Sequence, residues 1–542
     1  MINNSWWRGA VIYQVYPRSM KDTNGDGIGD LPGIIEKLDY IASLGVDAIW
    51  ISPFFKSPMK DFGYDISDYR DVDPLFGTLD DFDRLIKKAH SLNIKVIIDQ
   101  VLSHTSEKHS WFLESREDTT NPKADWYVWA DANEDGTPPN NWLSIFGGCA
   151  WQWEPRRKQY YLHNFLVSQP DLNFHNKEVR QATLENIEFW LERGVDGFRL
   201  DAINFCFHDS QLRDNPAKPV EERQGRGFSE DNPYAFQYHY YNNTQPENIE
   251  FIEEIRALLD KYPGAAALGE ISSEDSLATM AEYTQGDSRL HMGYSFELLT
   301  DEFTAQYIRE TVETLENKMA EGWPCWAISN HDVTRVVSRW GGPENSQQKS
   351  KMLTALLCSL RGTVCTYQGE ELGLNEAEID YDQLQDPYGI TFWPTFKGRD
   401  GCRTPIPWNS NEDKAGFTCG SPWLPIPQDH LSMSVDKQLA EEDSVLNSFK
   451  QFMNWRKTQP ALIDGDIQFI ETAEPILAFT RKSEKGSMLV CFNLSNQEQS
   501  TKISRNDSTS MLLEHGLASG ELRDDELTLP PFGCFFATLL EK

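Results

Sequence analysis

Four carboxylates stand at or just beyond the ends of short apolar runs: Asp99 after 96–98, Asp201 after 197–200, Glu270 two residues past 266–268, and Asp332 three residues past Ser329. Acids at the ends of buried strands can meet in one pocket and divide the work of a nucleophile and a proton donor. In Gly197-Phe198-Arg199-Leu200-Asp201 the side chains alternate, so Arg199 and Asp201 share the inward face while Phe198 and Leu200 point to the other. A guanidinium beside Asp201 favours its ionised form, which a nucleophile needs. Glu270 follows the small-residue run 264–269 and needs the opposite: surroundings that keep it protonated until it donates to a leaving group. A different chemistry is suggested by 22–30, Asp-Thr-Asn-Gly-Asp-Gly-Ile-Gly-Asp, where oxygen donors alternate and glycines bend the chain, a pattern suited to a hard divalent cation. It is not an EF-hand, because Gly33 stands at the twelfth position in place of a bidentate Glu.

The acids at strand ends require strands. Eight β-rich apolar runs occur at 10–15, 48–51, 96–98, 197–200, 266–268, 294–296, 327–329 and 364–367. Between them lie helical patterns, among them 33–43, 79–92, 178–192, 246–259, 301–319 and 347–360, with another at 444–457. Eight βα units in order predict an α/β fold, a (β/α)₈ TIM barrel. The third and fourth strands are separated by far more chain than one helix needs. The expected organisation is therefore a barrel built from 1–102 and 174–460, an inserted domain at 103–173, and a C-terminal antiparallel β-domain at 461–542.

Of the 542 residues, 84 are Asp or Glu and 50 are Lys or Arg, a formal charge of −34. That field repels nucleic acid and anionic membrane surfaces, and neither is expected as a partner. No apolar run approaches the roughly 18–20 residues of a bilayer span. Nine scattered cysteines, odd in number and never in CxxC spacing, read as reduced thiols and point to a cytoplasmic protein.

The strings Asp99-Gln100-Val101-Leu102-Ser103-His104, Gly197-Phe198-Arg199-Leu200-Asp201, Gly269-Glu270 and Asn330-His331-Asp332 resemble, in order and spacing, the four signature regions of glycoside hydrolase family 13, the α-amylase superfamily. Phe62-Gly63-Tyr64-Asp65, Gln169-Pro170-Asp171-Leu172-Asn173 and Gly369-Glu370-Glu371 are similar to its α-glucosidase and oligo-1,6-glucosidase branch. The resemblance implies retaining hydrolysis of small α-glucosides, with Asp201 as nucleophile, Glu270 as general acid/base and Asp332 supporting the oxocarbenium-like transition state. It implies Arg199 beside the nucleophile, and His104 and His331 on the hydroxyls of the first glucose. Asp61, Tyr64 and Arg399 grip that glucose, with Asp61 and Arg399 closing the pocket behind it; a closed pocket cuts from the chain end. Arg403 is expected to be structural, and Gly401-Cys402 departs from the branch's usual Asn-Ala. Ala202, directly after the nucleophile, matches members that act on α-1,4 bonds, whereas α-1,6 members carry Val there. The expected activity is thus exo-acting release of glucose from maltose-like substrates, with transglucosylation; an oligo-1,6-glucosidase and a transglucosylase or sucrose isomerase are the alternatives. The resemblance also implies a structural Ca²⁺ or Mg²⁺ on Asp22, Asn24, Asp26, Asp30 and the Ile28 carbonyl. Ser103 stands where many amylases have an Asn calcium ligand, so no metal is expected at the insertion.

Overall fold

The computed structural model describes residues 5–223, 232–319, 321–341, 347–503 and 509–539. Eight parallel strands close into a barrel: β1 (Val11–Val15), β2 (Ala48–Ile51), β3 (Lys95–Val101), β4 (Gly197–Asp201), β5 (Ala266–Glu270), β6 (Met292–Ser295), β7 (Pro324–Trp326) and β8 (Thr363–Tyr367), each paired with its sequence neighbours and β8 with β1. The helices that return the chain are α1 (Leu31–Ser43), α2 (Leu79–Ser91), α3 (Lys177–Glu192), α4 (Asn248–Leu259), α5 (Ser276–Tyr283), α6 (Ala305–Lys318), α7 (Gln347–Ser359) and α8 (Val445–Arg456). α2 shows why such segments are helical: Thr78 and Asp81 form a reciprocal capping box, acids occupy the first turn and Lys88 and His90 the last, and Phe82, Leu85, Ile86 and Ala89 make one buried stripe.

Because helices cover the outside of the barrel, its strands are apolar on both faces. Inward residues such as Ile12, Trp50, Leu268, Met292 and Tyr294 fill the barrel, while Ile49, Ile98, Phe198 and Leu200 join the larger cluster under the helices. Among the inward side chains Arg199 is a fully buried cation whose partners are the acids of the mouth.

The seventh strand is a correction. The run 327–329 is not paired; the ladder lies three residues earlier, with Gly293 opposite Pro324 and Trp326 opposite Val364. Proline lacks an N–H and can only open a strand, so Pro324 hid the true start. Asp332 therefore stands on a loop, six residues past the last paired residue. α5, whose pattern is short, is a further element beyond those expected.

Between β3 and β4 the chain forms a small antiparallel sheet of Trp129–Ala130, Gln159–Leu162 and Trp151–Glu154, and single bridges join His104 to Asp171 and Tyr127 to Leu172. At the C-terminal end, five strands in the order Asp466–Ile470, Ile476–Ser483, Gly486–Asn493, Cys534–Leu539 and Thr509–Leu512 make an antiparallel sheet beside a three-stranded one. Arg481 ties this sheet to the barrel, donating to the carbonyls of Ser359 at 2.6 Å, Leu360 at 2.9 Å and Gly465 at 2.8 Å. Among the described residues no helix is long and apolar enough to cross a membrane, and all nine cysteines are unpaired.

Candidate active site

The C-terminal ends of β3, β4 and β5 converge on one guanidinium. Arg199 donates through Nη1 to Asp99 at 3.0 Å and to Asp201 at 2.5 Å, and its Nη2 contacts Glu270. Its flat face lies over the Trp50 ring, 4.9 Å from the centroid. Asp99 also accepts from Trp50 Nε1 and from the Tyr64 hydroxyl, each at 3.1 Å. Asp99 is thus spent on holding Arg199, whereas Asp201, Glu270 and Asp332 all line an open cavity of about 480 Å³.

Burial dominates the charge states. Asp201 is pushed up to about 7 by burial, against the opposing pull of Arg199, with Asp99 and Asp332 adding to the rise. Arg199 does favour the ionised form of Asp201, as expected, but burial outweighs it. Glu270 is pushed higher still, to about 8, by burial and then by the charges of Asp201 and Asp332, with Arg199 opposing. Both carboxyls are raised, and joined through Arg199 they titrate as one pair that holds a proton more tightly than free carboxyls do. The Ala202 N–H donates to Glu270 Oε2 at 2.9 Å; Ala202 is left-handed, φ 42° and ψ 44°, and lines the cavity.

Asp332 is held oppositely. Burial works to raise it, but His331, Arg399, Arg403 and Arg199 outweigh that and keep it well below the usual carboxylate range. Burial pushes the His331 imidazole down to about 3, so near neutral pH the balancing charge is that of the guanidinium groups. Arg399 Nη1 reaches Asp332 Oδ1 at 3.2 Å and Arg403 Nη2 reaches the same oxygen at 3.0 Å. Arg403 also donates to the His331 carbonyl at 2.7 Å. Arg403, expected to be structural, thus touches the third acid directly, a role that its sequence neighbours do not reveal.

Tyr64, His331 and His104 form a neutral hydrogen-bonded wall. Gln14 donates to His331 Nδ1 at 2.7 Å, so Nε2 carries the proton toward the Tyr64 oxygen at 2.6 Å, and the two rings stack at 8° with centroids 5.4 Å apart. His104 Nε2 faces the Tyr64 carbonyl at 3.0 Å, and Ser103 Oγ lies 3.0 Å from Nδ1. Burial pushes His104 down to about 4. Ser103, a departure from the amylase pattern, therefore orients His104.

Arg399, which with Asp61 lines the cavity, donates to Asp61 Oδ1 at 3.0 Å and grips Asp386 through Nε at 3.0 Å and Nη2 at 2.8 Å. Gln169 donates to the other Asp61 oxygen at 3.1 Å. Burial raises Asp61 to about 6, with Arg399 opposing. Asp386, fully buried, was not foreseen; it lies in a loop-rich stretch with no periodicity to mark it.

The loop 22–30 lies outside this cavity. Asp22 accepts from the N–H groups of Asn24, Gly25 and Gly27 and from Thr418. Asn24 and Asp26 accept from the N–H groups two residues on, and Asp30 accepts from Thr23 and caps α1 through Gly33 N–H. The loop thus gathers oxygens around one turn. Burial raises Asp30, with the Asp22 charge adding to that rise, whereas the hydrogen bonds from Thr418, Gly25, Gly27 and Asn24 outweigh burial and lower Asp22. Among the described residues no group of three or more His, Cys, Asp or Glu side chains is close enough to hold a metal, so an ion here relies on amide and carbonyl oxygens as well.

Two acids sharing one guanidinium at the mouth of a (β/α)₈ barrel, with a third acid under two more arginines, define a glycoside hydrolase. The chain belongs to the α-amylase family: residues 14–465 match the family described as alpha amylase, catalytic domain, and 476–534 match the alpha-amylase SusG C-terminal domain. It is 56% identical over 540 residues to a probable alpha-glucosidase of Rhizobium meliloti (strain 1021), covering 99% of this chain and 98% of that one. It is 38% identical over 527 residues to an oligo-1,6-glucosidase of Heyndrickxia coagulans, covering 90% and 92%. The crystal structure of an α-glucosyl transfer enzyme, XgtA, superposes with a TM-score of 0.97 at 65% identity, covering 99% of each chain.

Proposed function

We propose that the protein is an exo-acting, retaining α-glucosidase that releases glucose from the non-reducing end of short α-1,4-linked substrates such as maltose. The observation that carries this reading is the ion-pair cluster of Arg399 with Asp61, Asp332 and Asp386 at the cavity lining, which supports a pocket that ends behind a terminal glucosyl unit. The similarity to the probable alpha-glucosidase supports the same substrate class.

Asp201 attacks the anomeric carbon while Glu270 gives its proton to the glycosidic oxygen, so the carbon–oxygen bond breaks as an ester to Asp201 forms. Glu270, now a carboxylate, takes a proton from water, whose oxygen attacks the anomeric carbon and releases glucose and the free Asp201 carboxylate. Double displacement needs the two carboxyls about 5–5.5 Å apart, against about 6.5–9.5 Å for inversion; direct contact of both with one guanidinium supports the shorter spacing. Asp332, kept ionised, stabilises the positive charge that develops on the sugar.

The small Ala202 beside Asp201 supports α-1,4 over α-1,6 linkage. Hydrolysis of maltose, isomaltose, sucrose and trehalose side by side tests this: maltose is expected to be preferred, and preference for isomaltose would sink it. A second reading, glucosyl transfer to a sugar hydroxyl in place of water, is favoured by the likeness to the α-glucosyl transfer enzyme and by phenyl walls of Phe146, Phe165, Phe205 and Phe296 that disfavour water. Dominance of oligosaccharides over glucose at high maltose concentration decides for it.

We also infer a structural Ca²⁺ or Mg²⁺ on Asp22, Asn24, Asp26, the Ile28 carbonyl and Asp30, supported by the alternation of oxygen donors along this glycine-bent loop. It would rigidify the loop that leads into α1 and take no part in the reaction. The unpaired cysteines support a reducing, cytoplasmic setting.

A further inference from the structure

Asp61 and Tyr64, which both line the cavity, are the two ends of one tight turn. The Tyr64 N–H donates to the Asp61 carbonyl at 3.0 Å, and the residues between them, Phe62 and Gly63, both have positive φ, 51° and 110°. Glycine, asparagine and aspartate are the usual occupants of such positions. Gly63 conforms and Phe62 does not. A phenylalanine in the left-handed region is strained, so contacts of its ring must offset that cost.

The ring is held by three side chains. Trp423 packs on it with centroids 5.6 Å apart and 56° between planes, and the guanidinium carbons of Arg18 and Arg403 lie 5.3 and 5.4 Å from its centroid. Arg18 is buried, its Nε and Nη1 have no hydrogen-bond partner among the described residues, and its other aromatic contact is Trp423 at 4.8 Å. A desolvated cation of this kind is drawn most strongly to the negative face of a ring. Trp423 is itself fixed: its indole N–H donates to Ser19 Oγ and its backbone N–H to the Gly27 carbonyl, each at 3.0 Å. Arg403 carries the arrangement to the third acid, since it also donates to Asp332 Oδ1 at 3.0 Å. Buried Asp65 accepts the Asp61 N–H at 3.0 Å and so fixes where the turn begins.

We propose that Phe62 is a positioning residue: its ring, gripped by Trp423, Arg18 and Arg403, keeps the strained turn in the conformation that presents Asp61 to Arg399 and Tyr64 to Asp99 and His331, and so sets the grip on the first glucose. The proposal deepens the glucoside reading of the cavity and rests on it. Because Asp61 and Tyr64 stand at the two ends of one turn, a tilt of the turn moves both at once. A loosened ring therefore weakens the binding of glucose itself along with the turnover of maltose, while Asp201 and Glu270, on separate strands, stay in place.

Maltose kinetics and inhibition by glucose, measured well below Tm on soluble protein, test the proposal. Phe62→Leu and Phe62→Tyr bear the same left-handed backbone and differ in the ring. In Phe62→Leu, kcat/KM for maltose is expected to fall and the glucose Ki to rise about three- to thirty-fold, the range of a desolvated cation–ring contact, and Phe62→Tyr to restore both to within about two-fold. Trp423→Leu, at a half-buried position, loosens the same ring from its partner's side and is expected to shift both quantities in the same direction, so the test stands even where Phe62→Leu fails to fold. A merely structural Phe62 would lower Tm and leave both quantities unchanged. Wild-type values in Phe62→Leu or Trp423→Leu, whatever their Tm, or equal losses in Phe62→Leu and Phe62→Tyr, overturn the positioning role alone. A wild-type protein that neither cleaves maltose nor binds glucose overturns the glucoside reading with it.

Discussion

The backbone N–H of Ala202 donates to Glu270 Oε2 at 2.9 Å, so the residue that follows Asp201 positions Glu270. It does so from a left-handed backbone, φ 42°, in which a non-glycine residue is strained and a β-branched one more so.

Ala202→Val adds two methyl groups beside the nucleophile on that strained backbone. The ratio of kcat/KM for isomaltose to that for maltose is expected to rise about ten-fold or more, the scale of a methylene-sized change in a pocket. Thermal stability should fall by about 1–3 kcal/mol from the left-handed strain. Parallel kinetics on the two disaccharides check it, and an unchanged ratio removes Ala202 as a linkage determinant.

Glu270 also makes stability depend on pH. Its carboxyl, raised by burial to about 8 from an ordinary 4.5, holds a proton in the folded state across an interval in which the unfolded chain has lost it. The folded state then binds more protons, so this group's contribution to stability falls as pH rises through that interval. Gln at 270 cannot titrate. The difference in Tm between Glu270→Gln and wild type is therefore expected to grow from about pH 5 to about pH 8.5; a difference that is flat with pH contradicts the shift.

Arg399 makes a forked contact with Asp386 and a single one with Asp61, and lysine keeps the charge but not the fork. In Arg399→Lys, kcat/KM for maltose is expected to fall about 10- to 100-fold, as misplacement on the order of an ångström does. Wild-type kinetics in this variant would exclude the proposed closure of the glucose site.

The cation proposed on the loop 22–30 binds the folded chain only. Calcium or magnesium at about a hundred times its Kd should stabilise by about 2.7 kcal/mol, read as a rise in Tm after chelator treatment. Asp22→Ala should abolish the rise. A Tm indifferent to both ions rules the site out.

Much of the site is legible because strand ends are local. Asp99, Asp201 and Glu270 each close a buried run, and alternation alone turns Arg199 toward Asp201. What is carried by long-range contact leaves no such trace. Arg403 reaches the mouth from a loop 72 and 71 residues from the His331 and Asp332 atoms it touches, and Asp386 holds Arg399 from the same aperiodic stretch, whose own link to Asp332 spans 67 residues. Pro324 displaced the seventh strand because pairing, not hydropathy, sets its start. The pull of Arg199 on Asp201 is legible from alternation, whereas the burial that opposes it depends on the whole barrel mouth.

The central claim is an ester between the sugar and Asp201. Incubation with an activated fluorinated α-glucoside, followed by proteolysis and mass spectrometry, is predicted to place one glucosyl adduct on Asp201 and none in Asp201→Asn. Absence of any adduct during ongoing turnover of maltose, or an adduct on Glu270 or Asp332 instead, would contradict the account.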